Sequence, residues 1–445
     1  MPSFSKVFAA IIQFIPATLE ALGKHLKPEW LEQAFAGEGQ ASMRRRKLPV
    51  DRALWLVIGM GLFRDRSIQE VVEHLDLALP KPGPVSGVAP SAIPQARERL
   101  GVGPVQRLFE LTGEHWARAS AEENRWRGLS LWGVDGSCLR VADTPENEAE
   151  FGRPSSGRSR SGYPQARFVG LMALRSHILA GMSVGGFHDG EMRLVEPLWQ
   201  KVPEKSLMIV DRGFLSWWPL HCFHAGGNER HWLVRAKSNL TWRTVAKLGS
   251  GDELAEITTP QRLRREHPEM PATFQVRILT YRVAGRRDQK LITSMLDAEK
   301  YPAREIIELY HERWEIELGY DEIKTHLLER EEALRSRKPD GVKQEIAGIA
   351  LAYNLVRVEM ERVAREIGIE PTRISFRHAL VLIRNFCLGA WSASPGVLPR
   401  RLGSLDRDLR LLVLPARRRK RRYRRHVKIK MSNYARNRGK SARAA

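Results

Sequence analysis

The chain has 445 residues, of which 42% are hydrophobic, and its 73 Lys and Arg against 51 Asp and Glu leave a formal charge of +22 and an isoelectric point near 10.3. That length accommodates two or three domains, the hydrophobic share can build a core, and the charge calls for a polyanionic partner, because each neutralised phosphate releases counterions. The longest apolar run, Ala53 to Phe63, has 11 residues, about half of what a membrane span needs, and three scattered cysteines (Cys138, Cys222, Cys387) exclude a disulfide framework or a zinc spacing and read as small core residues.

At the start, Val7 to Ala17 behind Lys6 imitates a signal peptide, but Gln13 interrupts it and no cleavage site follows, so an amphipathic helix is expected. Residues 1–120 read as helical, with apolar positions at helical spacing through Phe8–Leu22, Ala53–Leu62 and Val105–Leu111, broken by the Pro/Gly-rich stretch Pro80 to Pro90. Ser91 is placed to cap a short helix that exposes Arg97 and Arg99; with Arg44 to Lys47 these are candidate phosphate contacts or solvated helix faces. From residue 129 the texture changes. Leu129–Leu139, Phe168–Leu174 and Ile178–Val184 read as an antiparallel meander. A helix (Glu191–Val202), a strand (Leu207–Val210), a second helix (Leu215–Ala225) and a strand (His231–Arg235) follow, which is the element order of a ribonuclease-H-like fold. Residues 240–300 hold β-like pieces at Phe274–Val283 and Lys290–Met295. One long helical pattern covers 302–330, and Val342 to Ile367 forms another helix. Residues 417–445 carry 14 Lys or Arg and no acid, a composition expected to be disordered and to bind phosphates without sequence preference.

Two aspartates close apolar strands: Asp135 ends Leu131-Trp-Gly-Val, and Asp211 ends Leu207-Met-Ile-Val. A carboxylate on such a rigid edge with glycine close behind suits a metal ligand, although each alone also fits a turn-forming Asp. At the first and fourth strands of the element order above, the two would be neighbours. In the helix 302–330, Tyr310, Arg313, Glu317 and Lys324 fall within an arc of about 60° at about 100° per residue. Glu312, Glu315 and Glu322 fall off that arc, which selects Glu317; Asp321 is its internal rival. Three hard carboxylates can hold two divalent ions, Mg²⁺ or Mn²⁺, for attack on a phosphodiester. Arg313 and Lys324 would clamp the phosphate and Tyr310 could donate a hydrogen bond to it. Arg212, beside Asp211, and Arg158 and Arg160, in the loop Arg153 to Arg167 near Asp135, are further phosphate or DNA contacts. His188-Asp189 is either a contact to metal or phosphate or an exposed His beside a capping Asp.

The spacing Tyr310-x2-Arg313-x3-Glu317-x6-Lys324 resembles the Y-R-E-K signature of DDE transposases of the insertion-sequence-four type. Asp135-Gly, Ala142-Asp-Thr-Pro-Glu-Asn147, Tyr163-Pro-Gln165, Asp211-Arg-Gly-Phe214, Arg313 to Tyr320, Leu334 to Pro339 and Leu351-Ala-Tyr-Asn-Leu355 are similar to that family too, over residues 30–400. The resemblance implies metal-dependent strand cleavage and strand transfer that moves a bacterial insertion sequence by a cut-and-paste route, with Asp135, Asp211 and Glu317 as catalytic and metal-binding residues and two ions per site. It implies double-stranded DNA as partner (element ends and target), a homodimer when synapsed, no membrane, and a cytoplasmic, nucleoid-associated location. In relatives that excise through a DNA hairpin, a Trp on a late insertion strand stacks on a flipped base. The comparable place here carries Gln289 and Lys290, and Trp242 is either the substitute or an ordinary packed or surface residue.

The expected architecture is α/β, a ribonuclease-H-like core with a β-rich insertion. A helical N-terminal DNA-binding domain spans 1–120, the first part of the core 121–239, the insertion 240–300, and the second part, with the Glu317 helix and the helix after it, 301–370. A C-terminal helical region covers 371–416 and the basic tail 417–445. Two alternatives stand beside the active transposase: a transposase-derived DNA-binding protein without catalysis, and a nuclease of the same fold.

Overall fold

The computed structural model describes residues 15–36, 48–79, 88–154, 162–282, 288–329 and 333–415. Arg44 to Lys47, Arg158, Arg160 and the tail 417–445 lie outside the described residues.

Up to residue 123 the described chain is helix and turn, chiefly Pro28–Phe35, Val50–Leu62, Ile68–His74, Ala92–Leu100 and Gly103–Glu123. The apolar run that is too short to cross a membrane is a core helix: almost every residue of Val50–Leu62 is buried, and it packs against the long helix Pro339–Glu366. A helix apolar on all sides must be enclosed on all sides. Among the described residues no helix is long and apolar enough to cross a membrane. The helix Ala92–Leu100 departs from expectation. Ser91 makes no side-chain cap bond. Arg97 turns inward, where Gln344 Oε1 (2.8 Å), Ser336 Oγ (2.9 Å) and the Gly341 carbonyl (3.0 Å) accept from it. Arg99 donates to the Leu48 carbonyl at 3.1 Å. A guanidinium with this many buried acceptors is a packing element rather than a phosphate contact.

Nine strands form one sheet in the order β3-β2-β1-β4-β5-β9-β8-β7-β6. They are β1 Ser130–Arg140, β2 Gln165–Ala173, β3 Ile178–Gly186, β4 Ser206–Val210, β5 Arg230–Arg235, β6 Arg243–Gly249, β7 Asp252–Thr258, β8 Thr273–Tyr281 and β9 Gln289–Thr293. β1, β2 and β3 run antiparallel, and β1, β4 and β5 run parallel, which is the ribonuclease-H-like arrangement. β4 is buried throughout, as a parallel strand covered on both faces must be. The β-rich segment does not stand apart: β9 pairs with β5, so β6 to β9 extend the same sheet. β6 is exposed at every residue and so has no alternation of buried and exposed positions to betray it in the sequence.

The two sheet faces are covered by different helices. Trp314–Asp321 packs on β1, Glu191–Trp199 on β2 and β3, and Trp217–Ala225 on β5. A Cβ on Gly133 would point at Leu174 and Ile316, and one on Gly136 at Glu191, so odd and even positions of β1 face opposite layers. The single helix expected over 302–330 is instead four pieces. An α-helix, Ala303–Leu309, tightens to a 3₁₀ turn at Tyr310–Arg313, returns to α over Trp314–Asp321, and widens to a π turn at Glu322–Leu327. Uniform steps of about 100° therefore do not hold across it. The cysteines also differ from expectation, since Cys387 is buried, Cys138 half-buried and Cys222 exposed.

Candidate active site

β1 and β4 are parallel neighbours whose register ends at Val134 opposite Val210. Asp135 and Asp211 are the next residues of the two segments: Asp211 directly follows β4, as expected, whereas Asp135 does not close its strand, because β1 runs on to Arg140 through its pairing with β2. They stand at matched positions on strands spaced about 4.8 Å apart. Asp135 is half-buried and its Oδ1 accepts from the Gly136 amide at 2.8 Å. Asp211 is exposed, as is Arg212 in the short turn that follows.

Glu317 comes from the helix Trp314–Asp321 that packs on β1. It receives Arg313 Nη2 at 2.8 Å. Burial alone would weaken the Arg313 cation, but Glu317, Tyr310 and Asp211 hold it firmly protonated. Arg313 is also the cation that acts on Asp135. Tyr310 is buried, and desolvation pushes its phenol up to about 12, with Arg313 opposing and the Asp211 charge adding. Lys324 Nζ donates to Ser137 Oγ at 3.0 Å, two residues beyond Asp135. Asp135, Gly136, Ser137, Glu317, Tyr320, Asp321, Lys324 and Thr325 line one cleft of about 410 Å³. Asp321 thus shares the cleft with Glu317, its carboxylate accepting from Thr325 at 2.5 Å.

The remaining acids of this segment serve the packing side. Glu312 pairs with Arg175 at 2.9 Å, Glu315 with His177 at 2.9 Å, and Glu322 with Arg357 and His177. Helical spacing had set these three apart from Glu317, and their partners supply the reason.

Sequence reasoning missed Glu191. Its carboxylate lies 2.5 Å from where a Cβ on Gly136 would stand, and it pairs loosely with Arg167 at 3.9 Å. Burial pushes the Asp135 carboxyl up to about 6; the Gly136 amide and Arg313 oppose this, while Glu191 and Glu317 add to it. An acid in the first turn of a helix reads from sequence as a partner of the helix dipole, so nothing local pointed from Glu191 to Asp135. The nearby Asp189 accepts from the Gly186 amide at 2.6 Å and pairs with Arg193, closing the turn after β3, while His188 is exposed. Trp242 is half-buried, donates to Glu253 Oε1 at 3.0 Å, and lies 4.5 Å under Lys290 Nζ.

A divalent cation suits this donor set, because Asp135 is a partly desolvated carboxylate with acidic neighbours, a state that positive charge relieves. Among the described residues no three His, Cys, Asp or Glu side chains stand together as a ready metal site. The Arg313 guanidinium and the Lys324 ammonium bring positive charge among these acids.

Two protein families match the chain. One, described as insertion element 4 transposase N-terminal, covers residues 16–110, and the other, transposase DDE domain, covers residues 128–355. The chain is 36% identical over 401 residues to transposase InsG for insertion sequence element IS4 of Escherichia coli (strain K12), covering 90% of each chain. It is 29% identical over 292 residues to putative transposase InsZ of the same organism, covering 65% of this chain and 92% of the relative. Among solved structures it is similar to the piggyBac transposase synaptic complex with hairpin DNA, at a TM-score of 0.41 and 12% identity over 92% of this chain and 87% of the other.

Proposed function

Since this chain belongs to the insertion element 4 family of DDE transposases and is a DNA transposase, we propose that it moves its element by a cut-and-paste route, with Asp135, Asp211 and Glu317 as the catalytic set. The observation that supports this reading is the matched placement of Asp135 and Asp211 just past the point where the parallel pairing of β1 with β4 ends, beside a helix whose Glu317 is tied to Arg313. The family uses divalent metal, and we assign Mg²⁺ or Mn²⁺, two ions per site, to these three carboxylates. Such ions, when bound, supply Lewis acidity at the attacking and leaving oxygens of a phosphodiester.

This chain's own residues do the rest. Arg313, held in place by Glu317, offers a protonated fork to phosphate. Lys324, steadied by Ser137 on the strand of Asp135, adds a second charge at the same cleft. Tyr310 keeps its proton and so remains a donor. Arg212, Arg158 and Arg160 extend the phosphate contacts along the DNA. The helical N-terminal region, 1–120, reads the element ends, the tail 417–445 adds sequence-independent affinity, and two copies of the chain pair when both ends are synapsed.

The test incubates purified protein with a labelled element end and Mg²⁺, beside Asp135→Ala, Asp211→Ala and Glu317→Ala. Cleavage and joining by the parent, lost in each variant with DNA binding kept, is the expected result. Cleavage that survives all three substitutions overturns the assignment. Cutting without joining favours a nuclease.

A further inference from the structure

Tyr320 lies one turn beyond Glu317 on the same helix, and its ring is buried against Phe168, edge to face at 5.1 Å. Its hydroxyl accepts from the Gly170 amide at 2.9 Å and donates to the backbone carbonyl of Asp135 at 2.6 Å. Asp135 and Gly170 are directly opposite one another on β1 and β2. Backbone bonds from Leu174 to Leu131 and from Val141 to Pro164 mark the hydrogen-bonded pairs of this ladder. Hydrogen-bonded and non-bonded pairs alternate in an antiparallel ladder, so Asp135 and Gly170 belong to the bonded set. At that pair the tyrosine hydroxyl enters the ladder and binds both strands.

The surroundings are shaped for this contact. A Cβ on Gly170 would stand 2.8 Å from the Tyr320 hydroxyl oxygen, and one on Gly319 would stand 2.5 Å from the Met172 methyl. Both glycines let helix and sheet approach closely enough for the hydroxyl to reach. Burial, with the Asp135 charge adding, raises the phenol well above its ordinary range, so the proton it donates stays in place.

We propose that Tyr320 is a positioning residue whose hydroxyl ties the Asp135 strand to the Glu317 helix and so sets the gap across which the two carboxylates share a cation. The inference rests on the reading of Asp135 and Glu317 as metal ligands. Its function is distinct from theirs, because Tyr320 acts on metal through the backbone of Asp135 and not by ligation.

The experiment titrates Mn²⁺ into the full chain bound to a short DNA duplex and counts bound ion by electron paramagnetic resonance. Parent, Tyr320→Phe, Gly170→Ala, Asp135→Ala and Glu317→Ala are compared, each with its urea unfolding midpoint. Tyr320→Phe keeps the ring and loses only the hydroxyl, and the Mn²⁺ dissociation constant is expected to rise about 10- to 100-fold. Gly170→Ala crowds the hydroxyl from the other strand and is expected to shift the constant in the same direction. A purely structural bond would lower the unfolding midpoint and leave the Mn²⁺ constant of the folded protein unchanged. Parent-like Mn²⁺ binding by Tyr320→Phe, with Asp135→Ala and Glu317→Ala defective, overturns the proposal and spares the site. If Tyr320→Phe does not fold, Gly170→Ala decides in the same way. A parent that takes up no Mn²⁺, or aspartate and glutamate variants that bind it normally, overturns the site reading and the proposal together.

Discussion

Arg313 and Glu317 are joined by a 2.8 Å ion pair across one helical turn, and the guanidinium lies 4.8 Å over the half-exposed indole of Trp314. The pair places a fixed cation among acids that are assigned to hold metal. The same guanidinium can neutralise Glu317 or bind phosphate, and its geometry favours the first until DNA arrives.

Arg313→Ala should therefore separate metal binding from chemistry. Removing a cation from the acids lowers the repulsion that an incoming divalent ion meets, so Mn²⁺ should bind at least as tightly as in the parent. Cleavage should fall by about 10²–10³-fold, as when a preorganised charge donor is removed from a phosphoryl or acyl centre. Calorimetric Mn²⁺ titration and single-turnover cleavage measure the two effects. Weaker Mn²⁺ binding in Arg313→Ala would contradict this view of the pair.

The Glu322 cluster predicts a pH-dependent stability. Burial alone would raise the Glu322 carboxyl, but Arg357 and His177 outweigh it and hold the group down at about 2. An unfolded glutamate titrates near ~4.3, so the folded value is depressed. The contribution is complete above ~4.3 and is lost as pH falls from there through about 2. Glu322→Gln should cost about 3–5 kcal/mol at pH 7, the range for breaking a buried pair. The difference between parent and variant in urea unfolding should narrow at pH 3.5. An equal difference at both pH values would show that the carboxylate charge is not what stabilises the cluster.

Arg97→Ala distinguishes a packing role from a phosphate contact. Loss of its bonds to Gln344, Ser336 and Gly341 should destabilise the fold by about 1.5–3 kcal/mol. DNA affinity of the folded protein, and the slope of that affinity against salt, should stay at the parent values. A reduced salt slope with parent stability would restore the phosphate reading.

Removing residues 417–445 deletes 14 basic residues and no acidic ones. The slope of log affinity against log salt should become shallower by about 0.9 for every phosphate the tail contacts. Discrimination between the element end and unrelated duplex should not weaken. Fluorescence anisotropy at several salt concentrations, with both duplexes, reads both quantities. An unchanged slope would mean that the tail does not touch DNA.

Several parts of the site are legible in the amino-acid sequence. Asp135 and Asp211 each end an apolar run; Asp211 directly follows the strand its run forms, while β1 continues past Asp135 to Arg140 because β2 goes on pairing with it. Glu317 was separable from Glu312, Glu315 and Glu322 by helical spacing, and their partners Arg175, His177 and Arg357 are what draw those three acids to the packing side. The spacing was only approximate, because the backbone tightens at Tyr310–Arg313 and widens at Glu322–Leu327. Lys324 reaches Ser137 through that widened turn.

What the amino-acid sequence determined by itself is what depends on near neighbours in the chain: apolar periodicity, carboxylates that close apolar runs, a basic tail and the spacing of Tyr310, Arg313, Glu317 and Lys324. The tertiary structure alone decided how distant segments meet. It set Glu191 against Gly136, turned Arg97 inward, joined β9 to β5 and seated the Tyr320 hydroxyl between Asp135 and Gly170. The physical reason is range. Periodicity and spacing act within a few turns of chain, whereas a hydroxyl finding a carbonyl 185 residues away depends on how every intervening element packs.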